Sequence, residues 1–210
     1  MQYLTADGHG LPHDPFKAIV SPRPIGWISS VDAAGRVNLA PYSFFNAIAD
    51  NPPMVMFAST GRKIGIDEAK DSVTNIAATR EFVVNIVSYA LRDAMNLSSG
   101  GYPAGEDEFE LAGLTKAASI AVAPPRVAEA PAALECVLHE IIELPTGTGG
   151  IINRMVLGRV VAVHIRDELL ADGLLDITRY VPLTRCGYKD YASATEVFQM
   201  TRPKGGDREI

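Results

Sequence analysis

Residues 21–46, SPRPIGWISSVDAAGRVNLAPYSFFN, constrain the fold more than any other stretch of this chain. Ile25, Trp27, Ser29 and Val31 alternate with Gly26, Ile28 and Ser30, which is the period-two pattern of a pleated strand. Asp32-Ala33-Ala34-Gly35 supplies the turn, with Gly35 able to take positive φ. Val37–Leu39 begins a return strand that Pro41 is expected to weaken. The stretch therefore reads as a hairpin running into an irregular loop, with one strand face mixing apolar and hydroxyl side chains.

The 210 residues fit one domain spanning 1–210, with an arm at 1–14 and a charged tail at 203–210. Apolar residues make up 47% and charged residues 21%, a globular balance rather than a disordered one. A net charge of −6 repels phosphate backbones and anionic bilayers, so neither nucleic acid nor membrane is an expected partner. No apolar run approaches the roughly 18–20 residues of a membrane helix. The start, MQYLTADGHGLPHDPF, lacks the basic and apolar regions of a secretory signal, so a cytoplasmic location is expected. Cys136 and Cys186, with His9, His13, His139 and His164, make no metal-ligand spacing, and no metal is expected.

Phe16–Val20 reads as an apolar run docking on the body. Pro53–Ser59 reads as a short strand, and Asp71 or Ser72 as the N-cap of a helix carrying Val73, Ile76, Ala77 and Arg80. Glu81–Tyr89 alternates as a central strand, with Phe82, Val84 and Ile86 against Val83, Asn85 and Val87. Ser88 is expected to cap a helix through Leu91, Ala94 and Met95, ahead of a Gly/Pro-rich loop at 98–106 and a helical turn at Asp107–Leu111. Ala133–Leu144 and Arg154–Arg166 are long strands joined by the loop Pro145–Gly150, and the second is expected to be covered on both faces. Tyr188–Met200 carries aromatic residues able to reach back over the core. Helices inserted among strands, rather than alternating with them, predict a mainly β fold: a barrel with peripheral helices.

Four clusters have chemical potential. Ser29, Ser30, Asn38 to Ser43 and Asn46 offer hydrogen-bonding groups beside an apolar strand face, suited to a flat heteroaromatic ligand. They fit equally a hairpin edge whose polar groups satisfy its own backbone. Ser59-Thr60-Gly61-Arg62-Lys63 makes an anion site, with the helix start near Ser72 adding its positive end, or else a solvated turn. Met95–Ser99, leading into the loop at Gly101-Tyr102-Pro103 with Asp107-Glu108-Phe109 after it, reads as a lid, an interface or a helix terminus followed by a mobile loop. Gly187–Tyr191 reads as ring cover or core closure. Trp27 reads as a core anchor. The pairs Asp67-Glu68 and Asp107-Glu108 are adjacent and would diverge, and no catalytic triad is present, so no catalytic side chain is assigned.

The ordered blocks RPIGWISSVDAAGRVNLAPYSFFN, PPMVMFAS, KDSVTNI, EFVVNIV, AMNLSS and DYASATEVFQMTRP resemble the flavin reductase-like family of FMN-binding split barrels. They are closest to the branch holding flavoredoxin and the reductase components of two-component flavin monooxygenases. The resemblance, over roughly 15–203, implies a split β-barrel with inserted helices, a homodimer and bound FMN. It implies flavin contacts at Ser29, Ser30, Ala40, Pro41, Tyr42, Ser43 and Asn46. Phosphate contacts would fall at Ser59, Arg62, Lys63 and Ser72. The resemblance also allows a contact from Asn96 or Ser98 and aromatic cover from Tyr191. It also implies an NAD(P)H-dependent flavin oxidoreductase, with NADH or NADPH as donor and a partner flavin monooxygenase or redox protein as acceptor. Alternatives are a flavoredoxin-like electron carrier and a non-catalytic flavin-binding module. Direct hydride passage between stacked rings would need no protein acid or base.

Overall fold

A computed structural model of the chain describes residues 1–63, 70–147 and 150–203. Parts of the sequence reading therefore lie outside the described residues: Asp67-Glu68 within 64–69, 148–149 of the loop Pro145–Gly150, and the tail from 204. The central sheet has seven antiparallel strands, β1 (Gly26–Val31), β2 (Val37–Tyr42), β3 (Phe45–Asp50), β4 (Pro53–Thr60), β5 (Glu81–Ile86), β6 (Ala132–Gly147) and β7 (Ile151–Ile165). Their order is β2-β1-β5-β6-β7-β4-β3.

That order forces the sheet to roll. β2 and β3 are its two edges, yet only Ser43 and Phe44 separate them in sequence. A flat sheet of this width would hold its edges roughly 28 Å apart, whereas the steps from Tyr42 to Phe45 reach at most about 11 Å. The sheet therefore curls until its edges meet without pairing, and the barrel is split between β2 and β3.

Alternation along the strands builds two cores. Ile28, Tyr42, Phe57, Phe82, Val84, Cys136, Leu138 and Val156 fill the barrel interior, with Val73 and Ile76 of helix α1 (Asp71–Thr79) packed against them. Each large side chain so buried contributes roughly 1.5–3 kcal/mol. On the other face of β1 and β2, Trp27 and Leu39 pack with Met95 of α2 (Arg92–Leu97), Phe109 of α3 (Glu108–Leu111), Val127 and Leu183. Every residue of β1 is buried, and Trp27 is the core anchor its isolation suggests, with Nε1 donating to Ser98 Oγ at 2.9 Å.

The structure departs from the sequence reading in several places. The loop expected after the hairpin contains β3, which pairs with β4 along Phe45–Asp50. Pro41 does not end β2. The Leu39 amide, two residues earlier on the same strand edge, turns away from β1, so the missing Pro41 N–H falls on the unpaired side. Lys70, not Asp71 or Ser72, precedes α1 as its cap residue, and no side chain caps the helix; Arg80 stands beyond it in a left-handed conformation, φ 68°. Ser88 precedes a 3-10 turn, Tyr89–Leu91, again without a side-chain cap, and β5 ends at Ile86. Strand β6 runs to Gly147, into the expected loop at 145–150, and β7 begins at Ile151, directly after it. The far end of β7 is uncovered, with Val163 54% exposed.

The chain ends also differ. Phe16–Ile19 forms one helical turn, but Phe16, Ile19 and Val20 are exposed; the segment is held through its backbone, where Arg23 takes the carbonyls of Lys17 and Val20. After a short pairing of β8 (Leu183–Arg185) with β9 (Tyr191–Ser193), Val197, Phe198 and Met200 stand exposed instead of covering this chain's core. Among the described residues no helix is long and apolar enough to cross a membrane.

Candidate functional site

The free edge of β2 meets the first residues of α1, the loop at 98–102 and the start of α3. Between them lies a cavity of about 120 Å³ lined by Asn38, Ala40, Pro41, Tyr42, Lys63, Lys70, Asp71, Ser72, Ser98–Tyr102 and Glu108. Two further recesses adjoin it. A groove of about 320 Å³ shares Pro41, Tyr42, Lys70 and Ser99 with it and adds Ser43, Phe44, Arg23, Tyr188 and Tyr191. A smaller recess of about 60 Å³ holds Ser59, Gly61, Arg62 and Arg154, again with Lys70. Among the described residues, Lys70 alone borders all three of these recesses.

A buried hydroxyl network forms the floor. The Tyr42 hydroxyl hydrogen-bonds with Ser72 and Ser59, and Asn38 Nδ2 donates to Ser72 Oγ at 2.9 Å. Burial pushes the Tyr42 phenol up to about 12, so it remains a neutral donor. Ser72 serves this network rather than capping its helix.

The cations divide into two kinds. Lys63 is nearly buried, and its Nζ lies 2.8 Å from Asp71 Oδ2 and donates to the Tyr102 carbonyl at 3.0 Å. It thereby ties the turn after β4 to the start of α1 and to the 98–102 loop. Lys70 sits 5.7 Å above the centre of the Tyr42 ring and has no carboxylate partner among the described residues. Burial, aided by the charge of Lys17, holds its ammonium below the ordinary lysine value. A half-buried cation without a carboxylate partner among the described residues has the chemistry to receive an anion.

Of the residues singled out in the sequence, Ala40, Pro41, Tyr42, Ser72 and Lys63 are brought together on the main cavity. Ser43 lies on the adjoining groove, where Arg23 Nε donates to its hydroxyl at 3.5 Å. Ser59 and Arg62 share the smaller recess. Ser29 and Ser30 are fully buried: Ser29 donates to the Pro125 carbonyl at 2.5 Å on the outer face, and Ser30 accepts from Asn75 Nδ2 at 3.2 Å beneath α1. Asn46 stands apart on β3, its Oδ1 accepting from the Ala47 amide at 3.0 Å. Of the other contacts that the resemblance allows, Ser98 lines the main cavity while accepting from Trp27, Tyr191 lines the groove, and Asn96 faces a separate recess near Tyr89.

One charged cavity residue, Lys70, is not singled out by the sequence. Another, Glu108, is named there only within Asp107-Glu108-Phe109 and as a diverging pair with Asp107, with no binding role; it is 6% exposed, and its Oε2 accepts the Leu39 amide at 2.9 Å. Burial raises the Glu108 carboxyl to about 7, with the charges of Asp71 and Asp107 adding to the effect. Among the described residues no group of His, Cys, Asp and Glu is arranged to hold a metal. Burial also raises the Cys136 thiol, which is far from a reactive thiolate.

Comparison with known proteins bears on the same region. The family model of the flavin reductase like domain matches residues 20–184. Nitrilotriacetate monooxygenase component B from Bacillus cereus is 32% identical at a TM-score of 0.84, covering 95% of this chain and 98% of that one. The 2-nitrobenzoate 2-nitroreductase of Pseudomonas fluorescens is 27% identical at 0.83, covering 98% of both chains. Flavoredoxin of Desulfovibrio vulgaris, at 22% identity, 0.70 and coverage of 90% and 93%, is similar in fold.

Proposed function

The chain belongs to the flavin reductase-like family, and on that premise we propose that it is an FMN-binding oxidoreductase that takes electrons from NADH or NADPH. The observation that carries this reading is Lys70, a cation without an acidic partner among the described residues, standing where three recesses meet beside the open edge of β2.

The residues present suit the group. The cavity of about 120 Å³ is too small for a tricyclic ring, since ligand sites run to roughly 300–1,000 Å³, but it opens into the groove of about 320 Å³. Tyr42, Ser72 and Asn38 offer hydroxyl and amide partners for a polyol chain. Lys70, with Arg62 and Ser59 in the smaller recess, offers positive charge and a donor for a phosphate. Bound FMN would supply the electron-transfer chemistry, while the protein binds it, orients it against the donor and restricts water. With that division of labour the reaction needs no acid or base from the protein.

A second copy of the chain fits the exposed strand β3, with Ile48 47% exposed, and the exposed Val197, Phe198 and Met200. A homodimer is therefore part of the proposal. The likeness to a monooxygenase component B supports an oxygenase as the user of the reduced flavin.

Anaerobic mixing of FMN-loaded protein with NADH or NADPH tests the donor. Loss of the flavin's visible absorbance within the mixing experiment is expected. Absorbance that persists with both donors but falls when a reduced redox protein is added would instead assign an electron carrier. Absorbance unmoved by any donor would assign a binding module.

A further inference from the structure

We propose that Glu108 sets the ligand selectivity of the main cavity, its carboxyl hydrogen-bonding an uncharged hydroxyl or imide of a phosphorylated ligand whose anionic end goes to Lys70. The inference rests on the FMN reading and deepens it.

Glu108 is held in place by its backbone surroundings. Oε2 is fixed by the Leu39 amide on the free edge of β2, and the chain's path through α3 keeps the side chain in the cavity wall. Beyond the amides of Leu39 and of Glu108 itself, the carboxyl has no partner among the described residues, and neither of its oxygens is a sealed, unsatisfied atom. Its remaining hydrogen-bonding capacity therefore opens on the cavity.

The surrounding charges are already committed. On α3, Asp107 pairs with Lys116, and Glu110 is exposed. At the start of α1, Asp71 pairs with Lys63; before β2, Arg36 pairs with Asp32 at 2.7 Å. On β2 itself and in the 98–102 loop the titratable groups lining the cavity are the phenols of Tyr42 and Tyr102, leaving Lys70 as the cation without a carboxylate partner among the described residues. Among those residues no cation is paired with Glu108 to neutralise it when it ionises. With its carboxyl raised to about 7, the residue meets a ligand uncharged in mildly acidic solution and as an anion in basic solution. Ionisation would then repel a phosphate that the uncharged form accepts.

Binding of FMN and of riboflavin, followed by flavin fluorescence on wild type and Glu108→Gln, separates this role from a structural one. In wild type the preference for FMN over riboflavin should fall about tenfold between about pH 6 and about pH 8.5, the effect of one nearby like charge. In E108Q that fall should be absent, leaving only the change that the phosphate's own ionisation makes in both proteins. Equal slopes in the two proteins would overturn the inference. Infrared spectra of the flavin-free proteins give a second readout. A protonated-carboxyl band present near pH 6, lost near pH 8.5 and missing from E108Q supports it, and its absence from wild type near pH 6 overturns it. Failure of FMN to bind at any pH would sink the FMN reading and this inference together. A failed slope with FMN bound would sink this inference alone.

Discussion

Lys63 Nζ stands 2.8 Å from Asp71 Oδ2 with only 8% of the lysine side chain exposed, while Lys70, the residue next to Asp71 in sequence, has no carboxylate partner among the described residues. Adjacent cations at one site thus have different tasks. Lys63 joins three segments of the cavity wall, and Lys70 presents its charge to the recesses.

Substituting the two lysines should separate those tasks. Lys70→Ala should weaken FMN by about tenfold to a hundredfold and leave riboflavin nearly unchanged, since one charge-assisted contact contributes about 1.5–3 kcal/mol. Lys63→Ala should lower the urea midpoint as well, because Asp71 then faces the cavity without its partner, and Asp71→Asn in the same chain should recover part of that loss. Isothermal titration with both flavins and urea denaturation check the two parts. Equal loss of FMN and riboflavin in K70A would remove the phosphate role.

Stability should depend on pH through Glu108. Its carboxyl is raised in the fold to about 7, so the native state holds a proton that the unfolded chain releases at a lower pH. The contribution is complete below the ordinary glutamate range and is lost as pH rises through about 7, amounting to roughly 3 kcal/mol. Wild type should therefore lose stability between about pH 5 and pH 8, and E108Q, which keeps an acceptor for the Leu39 amide, should flatten that slope. Urea denaturation across that range measures both curves.

Packing inside the barrel gives a third prediction. A Cβ on Gly158 would lie 2.3 Å from Phe82 Cζ and 3.3 Å from Cys136 Cβ. Phe82 is fully buried and meets Phe57 edge to face at 5.8 Å, so its ring has little room to give. Gly158→Ala should cost about 1–3 kcal/mol, and the same change made with Phe82→Leu should cost less than the two separate effects added. Thermal melts of the three variants settle the coupling.

The hairpin at β1 and β2, the core helix α1 and the long pair β6 and β7 were legible because burial imprints a period of two or 3.6 on their residues. β3 was not: Asn46–Asp50 is exposed in the chain on its own, so FNAIAD carries no alternation to read. At the site, the hydrogen-bonding row Ala40–Tyr42 with Ser72 was readable from residue type, but which strand face other elements seal was not. Hence Ser29 and Ser30 lie buried away from the cavity that their neighbours line. Lys70 escaped notice because sequence adjacency to Asp71 says nothing of which cation that acid meets. Residue type places Glu108 beside a loop with functional potential but not in the cavity, because adjacent Asp107 and Glu108 diverge and cannot flank a ligand as a pair. That divergence is what lets Asp107 accept the amides of Phe109 and Glu110 at the helix start while Glu108 turns to β2.

The central claim is that the open edge of β2, with Lys70 beside it, grips a phosphate-tailed flavin. The direct measurement is the visible spectrum of the protein after incubation with excess FMN and passage through a desalting column. The account predicts a yellow protein carrying flavin in proportion to chain, with the flavin fluorescence altered from that of the free compound. A colourless protein whose melting temperature is unmoved by added FMN would contradict it.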